Sequence, residues 1–258
     1  MHPKFIVGNW KMNTTASEAS RLVKAIVDGM GTEDRVSVAV GPPFPYLALV
    51  GKTLEGSRVS LGTQNLYPQD EGAFTGEVSP TMLLDVGCKY AILGHSERRY
   101  KLGESDAFIN QKVQVALAAG LEVIFCLGET LDQREAGQTE AVLDRQLIQG
   151  LADLPADRLT RLTIAYAPVW AIGRLGHHAT PQQAQKAHAI IRSRFGRMFG
   201  ENSAKALVIQ YGGSVKPDNA AEILRRPGVN GALIGGASLH ADQFLAIIDA
   251  GICDLDPK

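Results

Sequence analysis

Eight short apolar runs rich in β-branched residues, most of them separated by a stretch long enough for a helix, constrain this chain most. They are FIVGN (5–9), VSVAV (36–40), VSLG (59–62), YAILG (90–94), EVIFC (122–126), LTIAYA (162–167), ALVIQYG (206–212) and GALIGG (231–236). Continuous apolar character, without alternation, belongs to strands covered on both faces. The intervening stretches 17–30, 107–120, 139–154, 179–199 and 240–251 carry helical patterns. Such alternation predicts parallel strands joined by right-handed crossovers. Eight units in 258 residues fit an α/β fold of one domain spanning the chain, a closed (β/α)8 barrel. A doubly wound sheet would normally carry a glycine-rich fingerprint after its first strand, and GNWKMN (8–13) is not one.

Composition removes several function classes. Lys and Arg number 26 against 27 Asp and Glu, a net charge of −1 with signs interspersed, so neither nucleic acid nor a membrane surface is expected as a partner. No apolar run reaches the length of a secretory leader or a membrane span. Cys88, Cys126 and Cys253 are odd in number and set among apolar residues; reduced, buried thiols and a cytoplasmic location are expected.

In a barrel of this kind chemistry sits on the loops that follow the strands. Those loops begin with Asn9-Trp10-Lys11, Gln64-Asn65, Gly94-His95-Ser96-Glu97, Ala167-Pro168, Gly212-Gly213-Ser214 and Gly235-Gly236. Two glycine pairs after the last two strands suit a phosphate, because backbone N–H groups can approach an anion there; a helix expected to begin near Ser238 would add its positive end. Either pair alone would read as a tight turn. Lys11 is placed to attract an anionic substrate, although a single lysine is more often simply solvated. His95 precedes a short helix whose first N–H groups would favour a neutral ring, and Glu97 could pair with Lys11. Alone, His95 would read as a structural histidine. Trp10 and Trp170 read as loop anchors, and His177 and His178 as exposed loop residues without a third metal ligand.

The motifs NWKMN (9–13), GHSERR (94–99), CLGE (126–129), AYxPVWAIG (165–173), YGGSV (211–215) and IGGASL (234–239) run in order over essentially the whole chain. The sequence thereby resembles the triosephosphate isomerase family. The resemblance implies a TIM barrel, a cytoplasmic homodimer, no cofactor, and interconversion of dihydroxyacetone phosphate and glyceraldehyde 3-phosphate through an enediolate in glycolysis and gluconeogenesis. It makes Asn9 and Lys11 substrate-orienting groups, His95 the neutral electrophile and Glu97 a supporting residue. It puts the substrate's phosphate on backbone N–H groups of Gly173, Ser214, Gly235 and Gly236. Residues 166–181, including Pro168, Val169, Trp170, Arg174, Leu175 and Gly176, become a lid with Tyr211 and Ser214 as latch partners. The segment 66–77 would enter a partner subunit and bring Thr75 near the partner's Asn9 and Lys11.

The chain departs from the family at two places. Where the pattern reads AYEPVW, with glutamate as the base that moves a proton between two carbons, this chain has Ala167. The lid, with seven residues from Arg174 to Thr180, is one longer than the family's. A methyl group accepts no proton, so a strongly impaired isomerase is expected, with a space bounded by His95, Lys11 and the lid that water should occupy, and with Arg174 opposing lid closure. Two departures on an otherwise faithful chain suggest deliberate alteration of a working isomerase. Two alternatives stand beside that reading: a redesigned barrel serving a new ligand or reaction, and a non-catalytic protein that binds phosphate compounds.

Overall fold

Each apolar run forms a strand because its residues are buried on both sides. In the computed structural model, which describes residues 4–32, 34–173 and 179–253, the strands are β1 (Lys4–Asn9), β2 (Val36–Gly41), β3 (Val59–Thr63), β4 (Tyr90–Leu93), β5 (Glu122–Leu127), β6 (Leu162–Tyr166), β7 (Val208–Tyr211) and β8 (Gly231–Ile234). All pair in parallel in chain order, and β1 closes on β8 through the register Phe5–Gly231 to Gly8–Ile234. Side chains alternate between two apolar layers. Phe5, Val7, Tyr90, Ile92, Ile124, Cys126, Ala165 and Leu233 fill the barrel, with the Phe5 and Tyr90 rings 4.8 Å apart. Ile6, Val38, Val40, Leu61, Val123, Ile164 and Ile209 face the surrounding helices. Gln210 is buried and donates its amide to the Phe5 carbonyl at 2.9 Å.

The long helices Ala16–Gly29, Asp106–Ala119, Thr139–Gly150, Pro181–Phe199 and Ala241–Cys253 occupy the expected positions. Thr15 and Thr180 cap two of them with reciprocal bonds to Glu18 and Gln183. The shorter helices Leu47–Leu54, Pro80–Asp85, Glu201–Ala206 and Ala220–Leu224 were not expected from periodicity. Of the boundaries that differ, two bear on the site. Strand β6 ends at Tyr166, so Ala167 follows it. Gly236–Leu239 is a 3-10 turn and the helix begins only at Ala241, because Ser238 spends its N–H and hydroxyl on the Gly235 carbonyl, at 2.9 and 2.7 Å. Cys88 and Cys126 are buried free thiols.

Candidate active site

The C-terminal ends of the strands deliver Asn9, Lys11 and His95 to one cavity of about 440 Å³, shared with Gly173, Gly212 to Lys216, Gly235 and Gly236. Lys11 sits in the left-handed region, φ 54°, where a residue with a Cβ is strained and needs outside support. Its N–H donates to Asn9 Oδ1 at 3.0 Å and its carbonyl accepts from Gln64 Nε2 at 2.8 Å. The side chain then reaches Glu97, Nζ to Oε1 2.7 Å. Burial alone would raise the Glu97 carboxyl, but the bond from Lys11 and the positive charges around it hold it below the usual carboxylate range.

His95 caps the short helix Ser96–Tyr100, its Nδ1 accepting the Glu97 N–H at 3.3 Å. Burial, and next the Lys11 charge, lower its pKa to about 4 against the opposing pull of Glu97. Nδ1 also lies 3.3 Å from Glu97 Oε2, a contact that would be an ion pair only with a proton on Nδ1. The N–H aimed at Nδ1 and the lowered pKa make that nitrogen an acceptor, so the single ring proton resides on Nε2 and can be donated to a ligand oxygen.

Gly235 lies beside Lys11: a Cβ there would be 3.4 Å from Lys11 Cε. The Ser214 N–H is donated to the Ala171 carbonyl at 3.0 Å, so a ligand using that N–H would have to displace this carbonyl. The Tyr211 hydroxyl meets the Ala179 N–H. Gly173 has φ +95°, a turn that favours glycine. Arg174, Leu175, Gly176, His177 and His178 lie outside the described residues.

Ala167 does not border an empty space. It is 1% exposed and absent from the cavity wall. A Cβ on Gly212 would come within 3.0 Å of its own Cβ, and one on Gly128 within 2.3 Å of its carbonyl oxygen. The space expected between His95, Lys11 and the segment after β6 is present, its wall including Lys11, His95, Ile172 and Gly173, but Ala167 does not line it: its methyl packs toward Gly212 and its carbonyl toward Gly128.

Sequence reasoning missed what holds the segment from Tyr166 to Trp170. Glu129 is wholly buried and accepts from the Tyr166 hydroxyl at 3.0 Å, from Trp170 Nε1 at 3.0 Å and from Arg134 at 3.1 Å. Its carbonyl takes the Val169 N–H at 3.0 Å, and the Arg134 guanidinium lies 4.4 Å from the Trp170 ring centre. The motif CLGE contained this residue, but its partners are 37 and 41 positions away.

The sequence model of triosephosphate isomerase matches residues 4–251. This chain belongs to the triosephosphate isomerase family. Similar proteins named triosephosphate isomerase occur in Carboxydothermus hydrogenoformans, 51% identical with 98% of this chain and 100% of that protein covered. Those of Chloroflexus aurantiacus, with 96% and 99% covered, and of Rhodopirellula baltica, with 95% and 96% covered, are each 50% identical. Membership makes the barrel that of a triose-phosphate isomerase, an enzyme of sugar phosphate metabolism. Among the described residues no helix is long and apolar enough to cross a membrane.

Proposed function

We propose that this cytoplasmic chain binds triose phosphates at the barrel mouth and interconverts them far more slowly than an isomerase that has its carboxylate base. In the reaction a base removes a proton from the carbon beside the carbonyl, the carbonyl oxygen becomes an enediolate oxygen, and the proton returns to the neighbouring carbon. Asn9 and Lys11 orient the substrate, Lys11 offsets the developing negative charge, and His95 Nε2–H donates to the oxygens. Glu97 keeps Lys11 in place. Backbone N–H groups of Gly173, Ser214, Gly235 and Gly236 take the phosphate. The observation that carries the reading is Ala167, a buried methyl directly after β6 in a site whose Lys11, His95 and Glu97 are mutually engaged. Glu97 is already bound to Lys11 and is no substitute base.

The same reading includes a homodimer and an altered, formerly active enzyme. A second cleft, bordered by Lys11, Met12, Phe44, Gln64, Glu97 and Leu102, supports docking of the partner's 66–77 segment with Thr75 at its tip. Met12 is 95% and Leu102 64% exposed, apolar area that a partner would cover. Calorimetry with 2-phosphoglycolate, alongside turnover of glyceraldehyde 3-phosphate in protein free of host isomerase, tests the function. Binding with turnover reduced at least about 100-fold below a relative supports it, and full turnover defeats it. Sedimentation equilibrium at micromolar concentration should give a dimer; a stable monomer would remove that part.

A further inference from the structure

The active-site cavity reaches beyond the cradle. Its wall includes Lys216, His240 and Gln243, contributed by the loop after β7, the turn after β8 and the final helix. Asn9 and His95 at the inner end are buried, whereas Lys216 and His240 are exposed, so the latter two stand at the outer rim. At about 440 Å³ the space falls within the range of pockets that hold drug-sized ligands, whereas a triose phosphate has only about ten non-hydrogen atoms.

The chemistry of the wall is one-sided. Among the described residues it includes two lysines and two histidines and not one aspartate or glutamate. The outer donors stand on pinned backbone. Asn219 accepts the Lys216 N–H at 2.8 Å and donates to the Ser214 carbonyl at 3.2 Å. His240 donates its N–H to Ala237 at 3.3 Å and accepts from Phe244 at 2.9 Å. Lys11 differs in being neutralised by Glu97. Lys216 therefore supplies the cavity with a cation on a fixed loop, on the same wall as the His240 ring and the Gln243 amide, both of which can donate hydrogen bonds.

We propose that Lys216, His240 and Gln243 form a second anion subsite, and that the cavity takes a short-chain bisphosphate with one phosphate on the glycine cradle and the other at the rim. The proposal rests on reading the cradle as a phosphate site. It assigns the rim residues to ligand selection and gives them no part in proton transfer.

The test compares two probes with the same carbon chain, pentyl monophosphate and pentane-1,5-diol bisphosphate, by calorimetry at fixed ionic strength and pH 6.5. The protein should prefer the bisphosphate by about ten-fold, the size expected of two partly screened contacts. Lys216→Gln combined with His240→Asn should abolish the preference while the monophosphate affinity stays within about two-fold. Lys216→Glu should lower bisphosphate affinity further. Equal affinity for both probes in the unmodified protein, or an equal loss for both in the double variant, overturns the subsite while leaving the cradle intact. If neither probe binds, the cradle reading falls and the subsite falls with it.

Discussion

His188→Asn should flatten the acid limb of the stability curve. The His188 ring is completely buried behind β6, 6.0 Å from the Tyr166 ring in an edge-on contact. Its Nδ1 lies 3.1 Å from the Gly228 carbonyl, and among the described residues its Nε2 is buried without a partner. Burial lowers its pKa from 6.5 to about 4, the Gly228 carbonyl opposing and Arg192 reinforcing the shift. The unfolded chain therefore binds the proton first as pH falls. Stability owed to the neutral ring is fully present above pH 6.5 and lost on the way down to about 4. The interval corresponds to about 3 kcal/mol. Asparagine keeps a donor for Gly228 but cannot ionise, so a packing loss of about 1–2 kcal/mol should be the same at every pH. His95 titrates in the same window and remains in both proteins, so the difference isolates His188. Urea unfolding at pH 7.5, 6, 5 and 4.5 at fixed protein concentration provides the assay. The unmodified protein should lose stability faster than the variant below pH 6.5; parallel curves, or an NMR titration placing His188 above pH 6, would refute the argument.

Lys11→Met should lower 2-phosphoglycolate affinity by roughly 10- to 100-fold, the value of a charge-assisted contact, and should raise the Glu97 pKa by NMR because its main lowering partner is gone; unchanged affinity would remove Lys11 from the site. Glu129→Gln should destabilise the fold by about 3 kcal/mol, because Arg134 loses its buried anion and three donors compete for one carbonyl oxygen; urea unfolding within 0.5 kcal/mol of the parent would contradict this. Gly173→Ala should weaken inhibitor binding several-fold with little effect on global stability, since among the described residues no atom lies within 4 Å of the added methyl but φ is +95°; equal affinity would show the turn to be free of strain in the bound state.

The barrel was legible because parallel strands covered on both faces are apolar along their whole length, and FIVGN or EVIFC admit few other readings. The helix Leu47–Leu54 was hidden because LALVGKTL is short and carries Gly51 in its interior. Lys11, His95 and Glu97 were legible as candidates from their positions after strand ends. Their engagement was only partly so: a Lys11–Glu97 pair could be anticipated, but the left-handed Lys11 backbone and its support from Gln64 depend on a loop that no local pattern describes. The Ser238 boundary failed because a hydroxyl and an N–H both turned to Gly235, a competition that pattern reasoning does not weigh. The space expected beside Ala167 lies between His95, Lys11 and Gly173, but Ala167 itself is packed away from it. The sequence carries no local sign of how closely Gly212 approaches the Ala167 methyl and Gly128 its carbonyl.

The most direct measurement is steady-state isomerisation of glyceraldehyde 3-phosphate by the protein and by its Ala167→Glu variant, both prepared from a host lacking its own isomerase. Glutamate would extend from the position directly after β6, and general base catalysis typically contributes about 10² to 10⁴ in rate. The account predicts a kcat rise of at least that order, with 2-phosphoglycolate affinity changed little, because Lys11, His95 and the cradle are present in both proteins. Equal turnover in the two, with the unmodified protein as fast as its bacterial relatives, would show that proton transfer here does not depend on position 167.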